Sequence, residues 1–161
     1  MGNKTTLILL IPLLFAVGCT TSQQGSKNRN IATVGSTKKV RTTAYTHTEA
    51  GGRKNALGTR LAAGSVKSAA ADWSHYPVGT KFQIINTGEV YQVDDYGSAL
   101  IGTGTIDLYK PSRITMRNWG VRVVDIKILE WGSPEKSIAL LQPRARHAHV
   151  REMISSLQTQ M

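Results

Sequence analysis

Apolar residues are spread along this chain in three regimes. Residues 7–17 form an almost continuous apolar run, residues 20–38 carry few apolar side chains, and residues 40–131 alternate apolar and polar positions in short stretches between turn residues. Alternation at period two is the pattern of a half-buried strand. It predicts strands over residues 40–46, with Val40, Thr42, Ala44 and Thr46 in phase, and over 80–85, 89–94, 105–109 and 121–129. Asn86-Thr87-Gly88 reads as the turn of a hairpin between the second and third of these. In the last run the apolar phase changes between Val123 and Val124, which predicts a bulge or a buried stretch. Pro111-Ser112 opens a short helix that Gly120 ends, and a basic helix is expected over residues 144–154, after Pro143. At least five short strands with little helix predict a mainly β fold, a small β-barrel rather than a sandwich. The chain shows no internal repeat.

The first apolar run is too short for a bilayer, which needs about twenty residues, and suits the core of a secretory signal behind Lys4. It ends in Ala16-Val17-Gly18-Cys19, which resembles the bacterial lipobox, with Ala16 where Leu is usual. That resemblance implies a signal peptide over 1–18 and a lipid anchor on Cys19. Two alternatives stand beside it. Cys19 can be incidental to a plain secretory signal, and Met1-Gly2 with Thr6 fits a myristoylation pattern that the following apolar run opposes. Thr20 and Thr21 follow the cysteine with no Asp at the retention position of Gram-negative sorting, which points to the cell envelope, at the outer membrane facing the periplasm. Residues 19–39 cannot bury enough surface to offset their ordering entropy, and read as a flexible, lipid-anchored linker reaching on the order of 25 Å.

Composition bounds the rest. The 161 residues allow one ordinary domain plus tails, and a single cysteine excludes an intrachain disulfide framework. A formal charge of +10 suits an anionic partner such as nucleic acid, lipid headgroups or an acidic wall polymer. An exported lipoprotein rarely meets nucleic acid, so none is expected as a partner. The membrane is expected only through the lipidated Cys19, and oligomeric state is left open.

Candidate chemistry centres on residues 93–109, where Asp95 and Asp107 bracket a glycine-rich loop. Aspartate is depleted from strands because it competes for backbone hydrogen bonds. Asp107, between Ile106 and Leu108, is therefore either bonded structurally or poised for proton transfer. Asp94 is in the opposite phase, so it points away from a cleft that Asp95 faces. Asp72 in Ala70-Ala71-Asp72-Trp73, then Tyr76-Pro77-Val78-Gly79-Thr80, Asp95-Tyr96-Gly97-Ser98-Ala99-Leu100-Ile101-Gly102 and Ile106-Asp107-Leu108-Tyr109 together resemble the 3D domain, named for three aspartates. Thr43-Ala44-Tyr45 and Leu57-Gly58-Thr59 resemble its opening strand and loop. This sequence departs from the family in placing Asp95 and Asp107 twelve positions apart, one more than usual, and in Ser98, where Gly is usual.

The resemblance implies a six-stranded double-psi β-barrel over 40–132, akin to rare lipoprotein A. The tail over 133–161 lies outside it and reads as basic and partly helical, a solvated terminal helix in preference to one resting on anionic lipid or wall polymer. It also implies cleavage of peptidoglycan between N-acetylmuramic acid and N-acetylglucosamine, as in membrane-bound lytic transglycosylase A. Asp107 maps onto the catalytic acid, and Asp95 and Asp72 onto its companions. An acid near neutral pH needs a raised pKa, which burial or a nearby Asp95 would supply.

Tyr45, His47 and Glu49 follow the first strand and can line the groove, although His47 is equally an ordinary loop histidine. Tyr96 and Trp73 can stack on pyranose rings or pack in the barrel; Trp119 and Trp131 read as packing residues. Asp95 and Asp72 can also be plain turn residues capping backbone amides. No cofactor or metal site is expected: His147 and His149 have no ligand cluster beside them, Gly102 and Gly104 lack the setting of a nucleotide loop, and no Ser-His-Asp or Cys-His set is found. Two readings remain, a tethered enzyme cutting peptidoglycan glycan strands and a non-catalytic polysaccharide-binding barrel.

Overall fold

The structure, a computed structural model, describes residues 1–2, 33–49 and 52–161. The expected signal peptide, Cys19 and most of the linker lie outside the described residues. Six strands follow the alternating pattern: β1 (Thr37–Tyr45), β2 (Val66–Ala70), β3 (Lys81–Ile84), β4 (Val90–Asp95), β5 (Ile106–Tyr109) and β6 (Arg122–Glu130). They close into a barrel in the order β1-β5-β2-β4-β3-β6. The pairs β1–β5 and β2–β4 are parallel and the others antiparallel, an arrangement consistent with a double-psi barrel.

Each strand turns one face inward, so Val40, Ala69, Phe82, Ile84, Tyr91, Val93, Ile106, Leu108, Val124, Ile126 and Ile128 form a continuous core. The β3–β4 hairpin turns at Thr87-Gly88, where Gly88 has φ 70°, a conformation open to glycine. Between β5 and β6, α1 (Arg113–Trp119) starts at Ser112, whose side chain accepts from Thr115 N at 3.2 Å, and ends at Gly120.

Three expectations are corrected. β2 is a full strand in the middle of the site, although Val66-Lys67-Ser68-Ala69-Ala70 has only one residue of high strand propensity. The phase change at Val123 and Val124 is neither a bulge nor a buried stretch. Val40 and Arg41 pair with Val124 and Val123 in unbroken register, and Val121 and Val123 are simply exposed. The irregularity of β6 falls instead opposite Lys81 and Phe82.

The third correction concerns the tail. It carries two helices, α2 (Pro134–Leu141) and α3 (Ala148–Gln158), with a 3₁₀ turn over Gln142–Arg144 where the basic helix was expected to begin. Leu141, Val150, Met153 and Leu157 are completely buried in the same core as the barrel, so this is not a solvated terminal helix. Ser137 Oγ accepts from Val78 N at 2.9 Å, and Gln160 Nε2 donates to Ser74 O at 3.0 Å. The described residues from 33 onward thus make one compact unit.

Candidate active site

Strand register places the acidic residues. Thr43 of β1 pairs with Asp107 of β5, Asp107 with Ala70 of β2, and Ala70 with Asp95 of β4. Residues paired across a ladder share a face. The chain neighbours Ile106, Leu108 and Ala69 point into the core, so this row lies on the outer wall of the barrel. Two strand spacings separate the backbones of Asp95 and Asp107, about 10 Å. On β2 between them stands Ala70, with only a methyl, so this trough-like strip of wall carries a carboxyl on each side of a small residue.

Asp107 is half-buried, and its Oδ1 accepts from Thr43 Oγ1 at 2.6 Å. Burial pushes its pKa up; the Thr43 bond opposes this and the charge of Glu49 adds to it. Asp95 is pushed up to about 6, mainly by burial with help from the Asp94 charge, against bonds from the Tyr96 and Ala56 amides and the charge of Arg144. Trp73, fully buried, donates its indole N–H to the Asp95 carbonyl at 2.9 Å and fixes the end of β4. That burial resolves its expected alternatives in favour of packing.

Asp94 does not point away. Ala69 pairs with Val93 and Ala70 with Asp95, so Asp94 is the extra residue of a bulge, and alternation fails there. It is buried, and its Oδ2 accepts from Asn55 Nδ2 at 2.8 Å and Ser68 Oγ at 2.6 Å. Burial nevertheless pushes its pKa up. Asn55 in turn accepts from the amides of Leu57 and Thr59 at 3.1 and 3.0 Å, tying the 55–59 turn over the trough.

Asp72 stands outside the row and shapes it through a loop. Its carboxylate accepts from Ser74 N and Oγ at 2.9 and 2.7 Å and from Gly102 N at 2.8 Å, and bonds His75 Nδ1 at 3.0 Å. Burial alone would push it up, but the bonds from His75, Gly102 and Ser74 hold it below the usual range. The loop that connects Asp95 to Asp107 is thereby pinned to the turn after β2.

Tyr45 pairs with Tyr109, with rings 5.6 Å apart. Its hydroxyl is held neutral, first by burial and then by the charges of Asp95, Asp94 and Asp107. The oxygen is buried and has no hydrogen-bond partner among the described residues; the same holds for Asp94 Oδ1 and Arg144 Nη1. All three atoms belong to residues linked electrostatically to Asp95. His47 Nδ1 lies 2.9 Å from Tyr109 Oη, and Glu49 is exposed near enough to act on Asp107. Tyr96 packs edge-on against Trp73 at 5.1 Å and near His149 at 6.2 Å, at the Asp95 end of the trough. Trp119 is buried and Trp131 stacks on Tyr76 at 6.2 Å, both as packing residues.

Sequence reasoning assigned no role to Thr43, Asn55 or Arg144. Asn55 precedes Gly58-Thr59, an Asx-turn signal that was present to read. Arg144, whose Nη2 donates to Ala56 O at 2.7 Å, reaches Asp95 only because the tail docks, and no local pattern announces that. A narrow cleft of about 40 Å³ between His47, Arg53, Arg60, Leu61 and Tyr109 adjoins the row. Among the described residues no three metal-ligating side chains converge. Burial raises both carboxyls of the row, Asp95 to about 6, and a carboxyl that keeps its proton above the ordinary range is the requirement for general acid chemistry.

Residues 67–130 match the family model of the 3D domain, a span that contains Asp72, Asp95 and Asp107 and begins after β1. No curated protein matches the chain.

Proposed function

We propose that this 3D-domain barrel cleaves peptidoglycan glycan strands as a lytic transglycosylase, with Asp107 as general acid and then base. One observation carries the reading: Asp107 is half-buried, raised by that burial, oriented by Thr43 and set on the same face of the barrel wall as Asp95. Protonated Asp107 gives its proton to the glycosidic oxygen, the bond from muramic C1 breaks, and the N-acetylglucosamine hydroxyl departs. The muramic 6-hydroxyl then attacks the oxocarbenium-like C1, and its proton passes to the Asp107 carboxylate. A 1,6-anhydro sugar forms and the acid is restored. The nucleophile belongs to the substrate, so one carboxyl suffices where hydrolytic glycosidases need two.

Asp95 and Tyr45 hold the neighbouring polar wall, and Asp72 fixes the loop between the two aspartates. The lipobox-like Cys19 supports a tethered envelope protein. The companion reading, a non-catalytic polysaccharide binder, is favoured by the shallowness of the cleft at His47. Incubating purified sacculi with the chain and with its Asp107→Asn variant, followed by mass spectrometry of released muropeptides, separates the two. The enzyme releases anhydro-ended fragments and the variant releases none. Reducing-end fragments would mean hydrolysis by water, and no release from either protein, with both pelleting on the wall, would leave the binder.

A further inference from the structure

A second cavity lies beyond Tyr109, and none of the three aspartates lines it. It encloses about 440 Å³, with Lys67, Glu89, Tyr109, Lys110, Asn118 and Trp119 in its wall. β2 and β4 begin at this end of the barrel and β5 finishes there, which gathers Lys67, Glu89 and Lys110. Both lysines bind the one carboxylate: Lys67 Nζ contacts Glu89 Oε1, and Lys110 Nζ lies 3.2 Å from Oε2.

The two lysines differ in what they have left to offer. Lys110 is only 8% exposed, donates also to Tyr91 Oη at 2.7 Å, and sits 4.5 Å over the Trp119 ring. Its donors are consumed internally, and burial pushes its pKa down. Among the described residues Lys67 has one hydrogen-bond partner, Glu89; its ammonium lies 5.8 Å from the Tyr91 ring centroid and its side chain is 24% exposed, which leaves N–H donors for a ligand in the cavity it lines. Two ammonium groups against one carboxylate leave the wall one positive charge in excess. Desolvating such a set is costly, and an incoming anion would balance it.

We infer that this cavity receives a carboxylate carried by the muramic residue next to the bond that Asp107 acts on, with Lys67 as its donor. This rests on the proposed function. Tyr109 lies two positions from Asp107 on the same face of β5, so the cavity begins about 7 Å from the catalytic row, roughly one sugar away. Asn118 and Thr115 add an amide and a hydroxyl to the wall, suited to the polar edge of an acylated sugar. The carboxylate is that of the lactyl ether in a peptide-free strand or of the stem peptide in a substituted one; the chemistry recognised is the same.

The test is calorimetric titration of the full chain bearing Asp107→Asn, which takes cleavage out of the readout. The ligands are three N-acetylglucosaminyl-muramic fragments: peptide-free with a free lactyl carboxylate, substituted with an acidic stem peptide, and substituted with the same peptide amidated. An acidic fragment should bind about tenfold more tightly than the amidated one, the worth of one charge-assisted hydrogen bond. Adding Lys67→Gln should erase that difference and Lys67→Arg should retain it, with near-ultraviolet circular dichroism confirming both folds. Whichever acidic fragment loses affinity in Lys67→Gln identifies the source of the carboxylate. Equal binding of acidic and amidated fragments, equal weakening of all three by Lys67→Gln, or no binding at all would each overturn the inference. A wild-type chain that discriminates these fragments yet releases no muropeptides keeps the carboxylate site and loses the transglycosylase; the converse loses only the site.

Discussion

Asp107 and Asp95 sit on one face of the wall, yet different neighbours tune them. The hydroxyl of Thr43 stabilises the ionised form of Asp107. Thr43→Val removes that bond, so the pKa of Asp107 should rise further. The alkaline limb of muropeptide release should then move upward by about half to one pH unit, read from rates across pH 5 to 8. Asp95 titrates near 6 when folded against 3.8 as its ordinary value. The native state therefore binds this proton more tightly than the unfolded chain, and ionising Asp95 lowers stability as pH climbs from about 4 through 6. Asp95→Asn should stabilise the protein by roughly 1–3 kcal/mol at pH 7.5, with the gain vanishing toward pH 3.5, as urea unfolding at the two pH values would show. Asp72 is the contrary case, a carboxylate whose ionised form is fully bonded and whose work is to hold a loop.

Among the elements, the hairpin at Gly88, the short α1 helix and the β5 strand carrying Asp107 were legible from local pattern, since each has turn or cap chemistry at its ends. β2 was not. Its middle residues are Lys, Ser and Ala, and it is a strand only because β4 and β5 flank it. The bulge at Asp94 escaped for the same reason, because pairing of Ala69 and Ala70 with β4 is what displaces it. α2 was readable in principle: Ser133 accepts from Lys136 N and Pro134 follows at the first helical position. What no local signal reveals is that α2 and α3 complete the core. Met153, completely buried in α3, tests this directly. Met153→Ala should cost about 2–5 kcal/mol in urea unfolding, with one transition for barrel and tail together, whereas a peripheral helix would lose almost nothing.

For the molecule as a whole, the three aspartates, the matched 3D span and the closed barrel agree, while the peripheral parts supply what the motif does not contain. Arg144 arrives from the tail and Asn55 from the loop after β1. Two of the chain's basic side chains have defined places, Arg144 acting on Asp95 and Lys67 in the cavity beyond Tyr109. The barrel's closure also sets a timetable. β1, the first strand made, pairs only with β5 and β6, more than sixty positions later. It has no nearby partner to wait with, so nearly the whole chain must be available before the wall can shut. Loop closure of that length precedes any reward from pairing, which places this small domain among the slower folders, in the millisecond-to-second range. A chain whose opening strand waits for its closing ones leaves β1 without a ladder until most of the polypeptide has been synthesised.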